Sequence, residues 1–154
     1  MIIRDYVPAD VDALIDLFRQ AVRRTAIRDY SEAQVKAWAP DEVERERWVE
    51  RRSSRPTWVA EIDGRIAGFA DLEPDGHVDM MYVHPDFNGR GVANALFARI
   101  EAAAAELKLW RLYTEASITA KPFFEKKGFR VISAQTVHVR GQDLVNYRME
   151  KLRA

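Results

Sequence analysis

The chain has 154 residues, a single domain's length and enough to bury a core. Lys plus Arg and Asp plus Glu balance at 24 each, so no net charge draws it to nucleic acid or an anionic membrane. The absence of cysteine excludes disulfides, thiolate metal sites and a cysteine nucleophile.

In chain order, MIIRDYVPAD predicts a first strand. It is charged by residue 4 and has no apolar leader segment. In DVDALIDLFRQAVRRT, Val11, Leu14, Ile15, Phe18 and Val22 recur at helical spacing. SEAQVKAW reads as a short helix with Ser31 as its N-cap and Pro40 as its stop. DEVERERWVERR reads as a charged helical turn or two on a solvated face, with Glu42–Arg45 and Glu44–Arg47 spaced for i,i+3 pairs. Residues 57–83 then read as a three-strand antiparallel meander divided by Asp-Gly at 63–64 and 75–76. A helix follows, with Val92, Leu96, Phe97, Ile100, Ala104 and Leu107 on one face. WRLYTEA reads as a strand, TAKPFFEKKG as a helix closed by Gly128, and 129–151 as a hairpin about Gly141. The fold class is α/β in one domain, 1–154: a mixed, mostly antiparallel sheet flanked by helices in the order β-αα-βββ-α-β-α-ββ. No apolar run reaches membrane-spanning length, so a cytoplasmic protein without membrane or nucleic-acid partner is expected.

The NGRG stretch at 88–91 stands where a strand gives way to a helix. Free backbone N–H groups and the positive end of a helix dipole favour an anion there. A Walker loop is not present, and the dinucleotide fingerprint lacks its third glycine and its parallel setting.

VHPDFNGRGVA at 83–93 resembles motif A of the GNAT superfamily of N-acetyltransferases, with Asn88, Gly91 and Ala93 at its key positions. EASITAKPFFEKKGF at 115–129 resembles that superfamily's N-x-x-A-x-x-F-Y-E-K-x-G-F signature, and the element order is also the superfamily's. The resemblance implies acetyl-CoA as co-substrate, no metal, and a small-molecule amine as acceptor, with a homodimer compatible. A protein lysine or N-terminal acetyltransferase and a non-catalytic acyl-CoA-binding module are the alternatives.

The resemblance also implies roles for particular residues. Backbone N–H groups of Asn88, Gly89, Arg90, Gly91, Val92 and Ala93 would hold the pyrophosphate. Met81 and Val83 would pair with the pantetheine arm between splayed strands, and Ser117 would contact it. Acetyl transfer needs a neutral amine and hence a proton acceptor. Period-2 alternation puts His77, Asp79, Met81 and Val83 on one side, which makes Asp79 and His77 the candidates. Phe124 stands where the superfamily commonly has the tyrosine that protonates the leaving thiolate, so either water or another hydroxyl, such as Tyr82 or Tyr113, replaces it, or the thiolate leaves unassisted. Tyr30 and Trp38 are the candidate acceptor-binding aromatics.

Overall fold

The computed structural model describes residues 1–153. The chain forms β1 (Ile2–Asp5), α1 (Val11–Arg24), α2 (Glu32–Trp38), α3 (Arg45–Ser53), β2 (Thr57–Ile62) and β3 (Arg65–Asp71). After these come β4 (Met81–Val83), α4 (Val92–Glu106), β5 (Arg111–Ser117), α5 (Lys121–Lys126), β6 (Arg130–Val139) and β7 (Gln142–Leu152). The predicted order holds, with one helix added.

In that added helix, α3, most charged residues are exposed as a solvated face requires, but Arg52 departs from the reading. It is 1% exposed, while Arg45 turns outward and pairs with Asp12 at 2.8 Å. Neither predicted i,i+3 pair forms among the described residues. α2 begins as expected: Ser31 Oγ accepts from Gln34 N–H at 3.1 Å, and the Gln34 side chain accepts from Ser31 N–H at 2.7 Å. α4 ends one residue short of expectation, leaving Leu107 as its C-cap and 50% exposed.

Strands β1-β2-β3-β4 form one antiparallel sheet and β5-β7-β6 another. α4 packs on one face, over Trp58, Ala60, Leu112 and Met149. α1 and α2 pack on the other, over Val59, Phe69 and Leu144. Trp58, Val59 and Ala60 thus alternate between two cores, as a strand buried on both faces must.

The first Asp-Gly, 63–64, makes the expected hairpin turn with both residues at positive φ. The second does something else. Gly76 sits at φ +101, and a Cβ there would lie 2.2 Å from Arg111 O, so only glycine lets the chain lie this close to β5. Val78 N–H donates to Tyr113 O at 2.9 Å and Tyr113 N–H to Gly76 O at 3.0 Å, a short parallel contact centred on His77 and Tyr113. The chain then leaves β5 and forms its ladder with β3 at 81–83. The expected third strand of the meander is therefore split between two neighbours.

Asp71 holds the split. Its carboxylate is fully buried, and Oδ1 accepts from both Asp79 N–H and Met80 N–H at 2.9 Å. Its Oδ2 accepts from Arg52 Nη1 at 2.8 Å. Burial raises the Asp71 carboxyl above its ordinary value, with the Arg52 charge and the Met80 hydrogen bond pulling the other way. Two backbone donors that leave the ladder are satisfied by one side chain. Removing one partner of a buried pair strands the other charge, at a cost of about 3–5 kcal/mol. Asp71→Ala should lose stability of that order, read as a reduced midpoint in urea unfolding with an unchanged slope.

Candidate active site

The bulge at 79–80 decides which way β4 presents its groups. Asp71 N–H donates to Met80 O and His84 N–H to Ala67 O, at 3.1 and 2.8 Å. Antiparallel alternation between these bonds pairs Tyr82 with Phe69 and turns the N–H and C=O of Met81 and Val83 away from β3, toward β5. The two strands have separated there, so these groups face a slot.

Side chains follow the same shift. Val78, Met81 and Val83 pack toward α4, while Met80 and Tyr82 pack toward α1. The predicted alternation of His77, Asp79, Met81 and Val83 on one face is thereby corrected: Asp79 lies on the side opposite Met81 because the bulge inserts one residue.

Three cavities follow one another along this seam. The first, about 200 Å³, lies between Val83, Asn88, Gly89, Gly91, Ala93 and Phe123. The second, about 140 Å³, shares Val83 and Asn88 with it and adds Met81, Tyr82 and Ser117. The third, about 210 Å³, shares Tyr82, Ser117 and Trp38 with the second and adds Tyr30, Asp79 and Glu115. They make a cradle, a slot and a chamber. Two larger clefts, of about 560 and 590 Å³, share no residue with the cradle.

The cradle is the start of α4. Gly89 and Gly91 both have φ +78, a left-handed conformation that favours glycine, and a Cβ on either would meet no protein atom within 4 Å. Among the described residues, the N–H groups of 89–94 donate to no carbonyl or side chain, and no side chain caps the helix. Asn88 departs from expectation. Its N–H donates to Pro85 O at 3.2 Å and its side chain reaches Thr25 Oγ1 at 3.5 Å, so its amide does not join the free donors. The Arg90 guanidinium lies over the Phe87 ring, 5.7 Å from its centroid.

The chamber holds two carboxylates. Asp79 Oδ2 is 3.2 Å from Arg55 Nη1 and 3.6 Å from Arg52 Nη2. Glu115, not foreseen as a site residue, lies on β5 two positions before Ser117. Period-2 spacing from Ser117 was the signal for it. His77 lies behind Glu115. Its ring Nε2 is 2.8 Å from Glu115 Oε1 and Nδ1 is 2.7 Å from Glu73 Oε1, and the ring stacks on Tyr113. Burial alone would lower its pKa, but the hydrogen bonds to Glu115 and Glu73 outweigh it and push it up to about 9. At neutral pH His77 is an imidazolium and not a free base, and it does not line the chamber.

Tyr30 and Trp38 both line the chamber. Tyr30 also ties the walls together: its hydroxyl donates to Val145 O at 2.5 Å and accepts from Ile118 N–H at 3.0 Å. Ser117 Oγ accepts from Ala120 N–H at 3.0 Å, which leaves its O–H to donate elsewhere. Phe124 is 4% exposed, packed against Phe123 and Phe129, and borders none of the three cavities. Of the two tyrosines considered in its place, Tyr113 hydrogen-bonds Asp75 and lies outside these cavities, whereas Tyr82 lines both slot and chamber. Burial, foremost, raises the Tyr82 hydroxyl above its ordinary value.

A glycine-bearing helix start, a slot between diverging strands and an acid-bearing chamber beyond it define an acetyltransferase of the GNAT type. The family model for the acetyltransferase (GNAT) domain matches residues 26–151, and the chain belongs to that family. It is 38% identical over 147 residues to an Escherichia coli K12 protein named N-acetyltransferase YafP, covering 96% of this chain and 93% of that one. A GCN5-related N-acetyltransferase from Rhodopseudomonas palustris superposes with a TM-score of 0.93 at 35% identity, over 98% of this chain and 94% of that one. The PaiA N-acetyltransferase of Thermoplasma acidophilum, solved with coenzyme A, shares the fold at a TM-score of 0.77 and 20% identity, over 98% of each chain. No helix among the described residues is long and apolar enough to cross a membrane.

The His77 cluster has a pH signature. A histidine whose folded pKa is raised contributes stability that is whole below the unfolded imidazole's value of about 6.5 and lost as pH rises through about 9. Melting temperatures of wild type and His77→Gln should therefore differ most near pH 6 and converge by pH 10.

Proposed function

We propose that this acetyltransferase moves an acetyl group from acetyl-CoA to the primary amine of a small molecule, by direct attack in a ternary complex. The observation that carries this reading is the continuity of cradle, slot and chamber through shared residues. The free N–H groups at 89–94 suit a diphosphate, and Gly89, Arg90, Gly91, Val92 and Ala93 would hold it at the positive end of α4. Met81 and Val83 would pair with the pantetheine arm as an added strand does, with the Ser117 hydroxyl beside them. That the Thermoplasma neighbour was solved with coenzyme A supports the class of ligand.

Acetyl-CoA supplies an activated thioester. The protein's own part is to orient the amine, take its proton and stabilise developing charge. Asp79 is the proton acceptor: Arg55 holds Oδ2, and among the described residues Oδ1 receives no hydrogen bond. Glu115 is a second carboxylate in the same chamber. The Met81 N–H is a backbone donor facing the slot. Tyr82 is the hydroxyl available to the departing thiolate, a role Phe124 cannot fill. The smallness of the chamber favours a small molecule over a protein chain, which would call for an open groove.

Thiol release from acetyl-CoA across a panel of primary amines tests the reading. Turnover of none of them would overturn it. Gly91→Glu should abolish CoA binding in calorimetry, because it sets a carboxylate against the cradle. The left-handed backbone costs that variant about 1–2 kcal/mol, so its fold should persist by circular dichroism. Asp79→Asn should lower kcat by roughly 100-fold, in the range of general-base loss, with CoA affinity nearly unchanged.

A further inference from the structure

We infer that the chamber is built for a compact cationic amine with an apolar or aromatic body and no carboxylate or phosphate. This rests on the acetyltransfer reading of the same site.

The charged residues that line the chamber are Asp79 and Glu115; no Lys, Arg or His among the described residues lines it. The cations that stabilise these carboxylates stand behind them. Arg55 occupies Asp79 Oδ2 and His77 occupies Glu115 Oε1. Neither cation borders the chamber, and the second oxygen of each carboxylate accepts no protein hydrogen bond among the described residues. Asn146 adds a third acceptor. Its Oδ1 is buried and has no partner, although its residue borders the chamber. A buried acceptor left without a donor is costly, and the N–H of a bound ammonium would satisfy it.

The remaining wall is aromatic and aliphatic. Trp38, Tyr82 and Tyr30 supply aromatic rings, whose π faces attract a cation, and Val137, Val139 and Leu144 close the apolar side. The volume of about 210 Å³ lies below the ~300–1,000 Å³ of sites for drug-sized ligands. An anionic group there would face two carboxylates and an amide oxygen with no cation to meet it, so amino acids are rejected where their decarboxylated counterparts are accepted. Arg148 stands opposite Glu115 on β7, but it is exposed, does not line the chamber and makes no ion pair with Glu115 among the described residues. Arg47, Arg51 and Arg140 border a separate cleft that shares only Trp38 with the chamber.

The test measures binding separately from turnover. CoA-loaded protein is titrated by calorimetry with matched pairs: phenethylamine against phenylalanine, and isopentylamine against leucine. Each amine should bind at least tenfold more tightly than its amino acid. Equal affinity within the pairs, or no amine binding at millimolar concentration, would overturn the inference. Thiol release with the same compounds reads the parent proposal: amines that bind selectively but are never acetylated would uphold the chamber's specificity and remove the acetyltransfer reading. Asn146→Leu supplies the residue-level check. It should weaken amine binding at least fivefold while melting temperature holds or rises, because an unpartnered acceptor has been replaced by an apolar group. A lower melting temperature with unchanged affinity would make Asn146 structural and overturn its place in recognition.

Discussion

The fold turns on one buried carboxylate. Asp71 ends β3, and its oxygen takes the two N–H groups that β4 frees as it departs from β5. Without such an acceptor, two backbone donors would lie unpaired inside the sheet, which protein interiors rarely tolerate. Arg52 makes the carboxylate admissible by ion-pairing with it, and α3 exists in part to deliver that guanidinium. From this arrangement follow the one-residue bulge, the outward-turned amides of Met81 and Val83, and the slot between the strands. The same bulge turns Asp79 to the α1 side, where Arg55 and Arg52 lie 3.2 and 3.6 Å from one of its oxygens.

Electrostatics is graded along the seam. At one end stand the free N–H groups and positive dipole of α4, with Arg90 nearby. At the other stand Asp79 and Glu115. On the proposed reading this polarity would draw an anionic donor and a cationic acceptor each to its own end. The cations that offset the carboxylates are kept one layer back, so the acids are stabilised without the chamber losing its sign. His77 belongs to that layer. Its two glutamate contacts hold it as an imidazolium, a supporting charge rather than the base that its place in the strand suggested.

Much was legible in the sequence because it rests on local chemistry. The periodicity of Val11 to Val22, the Ser31 cap, the Asp-Gly turn at 63–64 and the glycines at 89 and 91 each follow from backbone propensities acting over a few residues. The two linked motifs, at 83–93 and 115–129, carried the family and located the cradle. Tyr30 and Trp38, read as candidates from their position in the N-terminal helices, both line the chamber.

Tertiary structure alone decided what depends on partners distant in sequence. Strict alternation misplaced Asp79 because the bulge at 79–80 is set by Asp71, eight residues upstream, and stabilised by Arg52 from another element. The charged run at 41–52 hid one arginine with a buried partner among several that face water, and helical spacing cannot tell them apart. Phe124 sits in the motif position of a catalytic hydroxyl, yet its ring joins Phe123 and Phe129 in the core. Asn146 and Glu115 enter the chamber from strands of the second sheet, brought there by pairing between β5 and β7. A sequence states which groups a chain owns and its local geometry, but the charge state and direction of a buried group are set by its neighbours, and those are chosen when the sheets close.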